Sequence, residues 1–234
     1  MQIDLFPRLV YQCPVCENPY YNSVYCSGNS FGAIYYTDGS VDAPGLHQSS
    51  AFTQCPQCMT FLEKKHLLPI KRCPDRVRGV SPFDALKNAP TNAGHLDDTF
   101  RSNEERIAFL TKAQKQGLYS PAEASTEEKS WRKTRAEKQL LRELWHCYNR
   151  DPALCEGDDY RSICKQYIAL LNQRIDEERI SLAELYRNIG CFSESEALLD
   201  GFFFPERYAV YIDCIRTELK KKNTRTAPLP LKRR

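Results

Sequence analysis

Two copies of one four-residue unit, Cys13-Pro14-Val15-Cys16 and Cys55-Pro56-Gln57-Cys58, constrain this chain more than any other feature. Two intervening residues let both thiolates of a unit reach one ion at about 2.3 Å each. The tight turn also aims backbone N–H groups at sulfur, which orients the ligands. Together the units offer four soft ligands, which suit tetrahedral Zn²⁺. Four protein ligands leave no open coordination position. The spacing therefore predicts one structural zinc per chain, held by Cys13, Cys16, Cys55 and Cys58. Its binding energy, on the order of ten kcal/mol at neutral pH, would be folding energy for a small ribbon. Buried free cysteines do not explain two matching units. A redox pair is disfavoured because neither unit opens a helix after a strand, and an iron–sulfur centre is a minor alternative.

Residues 17–54, between the units, are more than the shortest ribbons use. Phe31 to Thr37 reads as a strand, and Asp38-Gly39 is a strong hairpin-turn signal. The gap therefore predicts a three-stranded zinc β-ribbon within a domain of residues 1–80. Pro44-Gly45 marks another turn, Ala51-Phe52-Thr53 returns the chain to the second unit, and Phe61-Leu62 leaves it. Zinc knuckles often place Gly after the second cysteine, where this chain has Glu17 and Met59.

The compartment decides how eleven cysteines are read. The N-terminus, Met1-Gln2-Ile3-Asp4-Leu5-Phe6-Pro7, has no basic patch followed by an apolar core. Apolar runs such as Phe202-Phe203-Phe204 are too short to cross a bilayer. Both observations lead us to expect a cytoplasmic protein, where thiols stay reduced and paired cysteines point to metal. Cys26, Cys73, His47 and His66 are read as packing or surface residues. Cys147, Cys155, Cys164, Cys191 and Cys214 are read as small apolar core residues.

The net charge of +3 splits unevenly. Residues 1–80 hold seven basic and six acidic residues, and residues 81–219 hold nineteen and twenty-four. Residues 220–234 hold seven basic residues and no acidic one. The body is thus mildly acidic and ill suited to tracking a phosphate backbone, whereas the tail suits an acidic partner.

The chain after residue 80 reads as helical. Residues 81–126 form a connector with short helices, with starts at Ser81-Pro82-Phe83-Asp84 and at the capping box Ser102-Asn103-Glu104-Glu105. Gly117 suits a helix end, and Ser125-Thr126-Glu127-Glu128 begins the next helix. Residues 127–222 carry four apolar stripes at helical spacing. They are Leu141/Leu144/Trp145/Tyr148, Tyr160/Ile163/Cys164/Tyr167/Leu171, Leu182/Leu185/Tyr186/Ile189 and Tyr208/Tyr211/Ile212/Ile215/Leu219. Such stripes must pack on one another, so the fold class is α+β, a zinc β-ribbon followed by helical hairpins. Residues 223–234, with Pro228 and Pro230 and no periodicity, read as a basic disordered tail.

Leu182, Ala183, Tyr186, Gly190, Phe192, Ser195 and Leu199, with Pro205 after them, resemble a tetratricopeptide repeat. The chain from 11 to 205 resembles a group of bacterial proteins that join an N-terminal zinc ribbon to a tetratricopeptide-like helical region. The two knuckles carry the resemblance, together with Ser27-Gly28-Asn29-Ser30-Phe31-Gly32-Ala33, Leu144-Trp145-His146-Cys147-Tyr148-Asn149 and Leu185-Tyr186-Arg187-Asn188-Ile189-Gly190. The resemblance implies architecture and no established activity.

The four histidines, His47, His66, His95 and His146, stand without a nucleophile triad, a phosphate loop or an HExxH helix. No catalytic residue is assigned, and a non-enzymatic interaction or adaptor protein is expected. Its helical face would bind a protein partner through Tyr160, Tyr167, Tyr186 and Arg187. The alternative is nucleic-acid binding through the ribbon and the basic residues Lys220, Lys221, Lys222, Arg225, Lys232, Arg233 and Arg234.

Overall fold

A computed structural model of the protein describes residues 5–25, 31–43, 50–72, 94–96, 100, 102–119 and 126–230. The strands are β1 Leu5–Gln12, β2 Pro19–Tyr25, β3 Ile34–Tyr35, β4 Val41–Asp42, β5 Phe52–Gln54, β6 Phe61–Glu63, β7 Leu68–Arg72 and β8 Gly94–Leu96. The helices are α1 Asn103–Gln116, α2 Thr126–Asn149, α3 Asp158–Leu170, α4 Asp176–Asn188, α5 Phe192–Leu199 and α6 Ala209–Lys220. The fold is α+β, with strand pairs first and helices after. No helix among the described residues is long and apolar enough to cross a membrane.

The chain divides into two compact units, Met1–Ser30 with Gly45–Glu137, and Phe31–Pro44 with Lys138–Arg234. In the first unit a sheet runs in the order β7-β1-β2-β8. β1 and β2 are antiparallel, with Tyr11 opposite Tyr20 and Gln12 opposite Pro19. β5 and β6 form a second antiparallel pair, with Gln54 opposite Phe61. The capping signal is realised in α1, where Ser102 Oγ accepts from the Glu105 amide at 3.2 Å. Gly117, at φ 79°, closes that helix. The start expected at Ser81 and the turn at Pro44-Gly45 lie outside the described residues.

In the second unit the apolar stripes do pack on one another. Leu144, Trp145, Tyr160, Cys164, Tyr167, Leu182 and Leu185 are all buried. Ile180, Ala183, Leu199, Ile212 and Ile215 form one cluster, with Phe204, Tyr208 and Tyr211 against it. Ala183 allows α5 to approach α4 closely, so that Ser195 Oγ donates to the Ala183 carbonyl at 2.6 Å. Gly190 supplies the left-handed turn between these helices at φ 82°.

Two placements differ from the sequence reading. The Asp38-Gly39 hairpin forms, but it belongs to the helical unit and adds no third strand to the knuckles. Thr37 Oγ1 donates to Glu184 at 2.5 Å, and Asn149 Nδ2 donates to Asp38 Oδ2 at 2.8 Å. Arg150 donates to the Val41 carbonyl at 2.9 Å. A local turn signal carries no information about such distant polar partners.

The segment after Lys222 is likewise hydrogen-bonded, not a free tail, as far as Leu229. Arg187 Nη1 donates to the Asn223 carbonyl, and to the Arg225 carbonyl at 2.9 Å. Asn188 Nδ2 donates to the Thr224 carbonyl at 2.9 Å. The Thr37 amide donates to the Ala227 carbonyl at 2.9 Å, and the Leu229 amide to the Tyr35 carbonyl at 2.7 Å. An extended segment needs no helical periodicity, and these partners replace the water that a free tail would use.

Candidate metal centre

Each Cys-Pro-x-Cys unit is the tip of a strand pair. β1 and β2 carry Cys13 and Cys16, and β5 and β6 carry Cys55 and Cys58. The two turns repeat each other bond for bond. The Cys13 amide donates to the Asn18 carbonyl at 3.0 Å, and the Cys55 amide to the Thr60 carbonyl at 2.9 Å. The Glu17 amide donates to the Cys13 carbonyl at 2.9 Å, and the Met59 amide to the Cys55 carbonyl at 3.0 Å. Glu17 and Met59 both take φ 59°, the left-handed conformation that glycine would adopt without strain. A glutamine precedes each unit and steadies that residue. Gln12 Nε2 donates to the Glu17 carbonyl at 3.2 Å, and Gln54 Nε2 to the Met59 carbonyl at 2.7 Å.

The turns bring all four sulfurs within 4.8 Å of one another. Cys13 and Cys58 Sγ lie 3.7 Å apart, and Cys16 and Cys55 Sγ lie 3.6 Å apart. A tetrahedron with metal–sulfur bonds of about 2.3 Å has edges of about 3.8 Å. A disulfide would need about 2.05 Å. The cluster therefore has the dimensions of a four-thiolate metal site. The Val15 amide, 3.4 Å from Cys13 Sγ, supplies one of the expected N–H···S contacts.

Burial makes a metal-free cluster hard to ionise. It pushes the Cys13 thiol up to about 12 and raises that of Cys55. At Cys58 burial also acts upward, but the hydroxyl and amide of Thr60, together with hydrogen bonds from Cys16 and Cys55, outweigh it and bring the thiol down to about 6. Thr60 Oγ1 lies 3.2 Å from Cys58 Sγ. Four thiolates at these separations repel strongly, and a bound dication removes the penalty while releasing protons. Cys13 and Cys55 pack with Tyr20, Leu62 and Leu67, which keep water from one side of the site.

The other candidate residues are not brought together. Tyr160 and Tyr167 are 1% and 5% exposed and Arg187 is 0% exposed, so these three fill the interior and cannot line a partner face. Tyr160 donates to Asn149 Oδ1 at 2.7 Å, and the Tyr167 ring lies against Trp145. Arg187 forms a buried ion pair with Glu184. Tyr186 alone is part exposed and lines a groove. Of the basic tail, Lys221 pairs with Glu218 and Arg225 reaches Glu156 at 3.4 Å, while Lys220 and Lys222 are exposed. Lys232, Arg233 and Arg234 lie outside the described residues, as do Cys26, Cys73, His47 and the side chain of His66.

Sequence reasoning missed Gln12 and Gln54, although the signal was present. The repeated string is Gln-Cys-Pro-x-Cys, one residue longer than the unit that holds the ligands. Comparisons of the chain with protein-family models, with curated proteins and with solved structures found no match.

Proposed function

We propose that the chain is a non-enzymatic adaptor whose ribbon is held by one structural Zn²⁺ and whose tetratricopeptide-like helical unit binds a protein partner. The observation that carries the partner reading is the apolar surface of the β3–β4 hairpin. Phe31 is 90% exposed, and Ile34 and Tyr35 are each 41% exposed. The hairpin's inward residues, Thr37 and Asp38, are buried and polar. A hairpin that buries its polar groups and shows water its aromatics is arranged for a further surface. Zinc is favoured by four thiolate ligands at tetrahedral spacing, and the closed ligand set favours a structural role.

The test is affinity recovery of the tagged full-length protein from its own cells, with bound zinc quantified and nuclease treatment in parallel. The expected result is a stoichiometric protein partner that survives nuclease, about one zinc per chain, and loss of the partner in Phe31→Ser. Recovery of nucleic acid instead, lost on nuclease treatment or on deleting the basic tail, would replace this reading with the nucleic-acid alternative.

A further inference from the structure

We propose that the channel between β3 and the end of α4 is a docking site for an extended segment of a protein partner, and that residues 223–229 occupy it as a tethered internal ligand. The channel grips main chain. Arg187 Nη1 donates to the Asn223 and Arg225 carbonyls, and Asn188 Nδ2 donates to that of Thr224. Further along, the Thr37 amide donates to the Ala227 carbonyl at 2.9 Å, and Thr37 Oγ1 accepts from the Ala227 amide at 3.1 Å. The Leu229 amide donates to the Tyr35 carbonyl at 2.7 Å. An antiparallel bridge joins Tyr36 to Pro228, so the segment lies against β3 as an added strand would. The gripping side chains are themselves fixed, since Arg187 is fully buried and Thr37 and Asn188 are nearly so. With the segment in place Arg187 offers no surface, so it meets a partner only by exchange of one segment for another. Vacating the channel would leave buried donors without acceptors, which favours refilling.

The internal segment is held imperfectly. The Thr226 hydroxyl is buried and has no hydrogen-bond partner among the described residues, an uncompensated cost. Lys222, where the chain leaves α6, takes φ 53°, a strained conformation for a residue other than glycine. Thr224, Arg225 and Pro228 are exposed, and Ala227 is the one buried residue of the segment. Tethering offsets these defects, because an attached ligand has an effective concentration in about the millimolar range. The chemistry of a better occupant follows. It needs an extended main chain, a branched apolar residue in the place of Thr226, a small residue in that of Ala227 and a free amide in that of Leu229. Proline is accepted between the last two, as Pro228 shows. The site rests on the adaptor reading only in taking a protein as partner, and a synthetic peptide tests it without the Phe31 surface.

Fluorescence anisotropy tests the proposal, with a labelled synthetic peptide of residues 223–230 carrying Thr226→Val titrated with the full-length protein. In the wild type the internal segment competes, so binding is expected to be weak. Ala227→Glu puts a charged side chain at the buried position of the segment and leaves the channel residues unchanged. This variant should bind the peptide at least about 10-fold more tightly, as removal of a tethered competitor predicts, while helical circular dichroism stays that of the wild type. Leu229→Pro deletes the amide donated to Tyr35 and should act in the same direction, which covers a failure of Ala227→Glu to fold. A peptide methylated at the Leu229 nitrogen should bind about 5-fold more weakly or worse, as loss of one hydrogen bond does. No binding by the folded variants at millimolar peptide, equal binding by wild type and variants, or indifference to the methyl group would each overturn the proposal.

Discussion

Glu17 and Met59 hold equivalent places in the two knuckles, each at φ 59° and each with its carbonyl held by the preceding glutamine. A non-glycine residue in this conformation costs roughly 1–2 kcal/mol, part of which glycine returns through its freer unfolded chain. Met59 is half exposed and adds little packing. We therefore expect Met59→Gly to stabilise the ribbon by about 1 kcal/mol, read as a higher chelator concentration at half-loss of metal. A destabilised ribbon would show that the methionine side chain contributes more than its exposure suggests. The residue scale also offers a pH test. His146 is the sole histidine of the second unit, and its Nε2 lies 3.0 Å from the Asp38 carbonyl. Burial lowers its pKa, against the pull of Asp38 and with help from Arg142 and Arg150. As pH falls through about 6.5, the unfolded chain takes up a proton that the folded chain refuses. Stability of the helical unit should then fall by up to about 1.4 kcal/mol per pH unit, and the loss should stop once pH reaches the folded pKa. His146→Gln keeps a side-chain donor and should flatten the slope in urea melts between about pH 7 and 5.5. An unchanged slope would assign the effect to other groups.

The elements divide into those written in local pattern and those that are not. Helices α2, α3, α4 and α6 follow the apolar stripes, and α1 begins at Ser102 and ends at Gly117 where the capping signals put its ends. The knuckles were legible because ligand spacing is itself local. The allegiance of the β3–β4 hairpin was not, since Thr37 meets Glu184 across 147 positions of sequence. The C-terminal segment was misread for the same reason. Its carbonyls are held by Arg187 and Asn188, residues that a stripe analysis assigns to a surface. Arg187 is fully buried and also donates to both oxygens of Glu184, so one guanidinium ties α4 to the C-terminal segment. Ending the chain at Lys222 should remove these bonds together with those to Thr37 and Tyr35. At roughly 1 kcal/mol net for each hydrogen bond, less the entropy regained by the freed segment, the expected loss is about 2–4 kcal/mol. Ending it at Pro230 keeps every one of these bonds and serves as the control. A urea midpoint of the helical signal that is equal in both truncations would mean that water replaces the segment without penalty.

Across the whole molecule, the two units differ in what could stabilise them. The first surrounds its four-cysteine cluster with a few apolar residues, and a metal bound there, on the order of ten kcal/mol, would be comparable to the entire stability of a small domain. The second has its own apolar cluster and a buried ion pair, neither of which involves a metal. Chelation should therefore unfold the ribbon and leave the helices of the second unit standing. The chain itself links the two outcomes, because Phe31–Pro44 leaves the first unit between the knuckles, docks in the second and returns, and α2 also crosses the boundary at Glu137. With metal bound, the hairpin's two ends are tied to a closed knuckle pair. Without metal its tethers lengthen, and the added closure entropy grows only with the logarithm of length. The helical unit should then lose no more than about 1 kcal/mol. Urea melts followed by helical circular dichroism, with and without chelator, measure this directly. A shift of that size, with amide protection lost only in the strands around the cysteines, is the expected outcome. Collapse of the helical signal on chelation would instead mean that the hairpin transmits the metal's full folding energy, and that the two units fold as one.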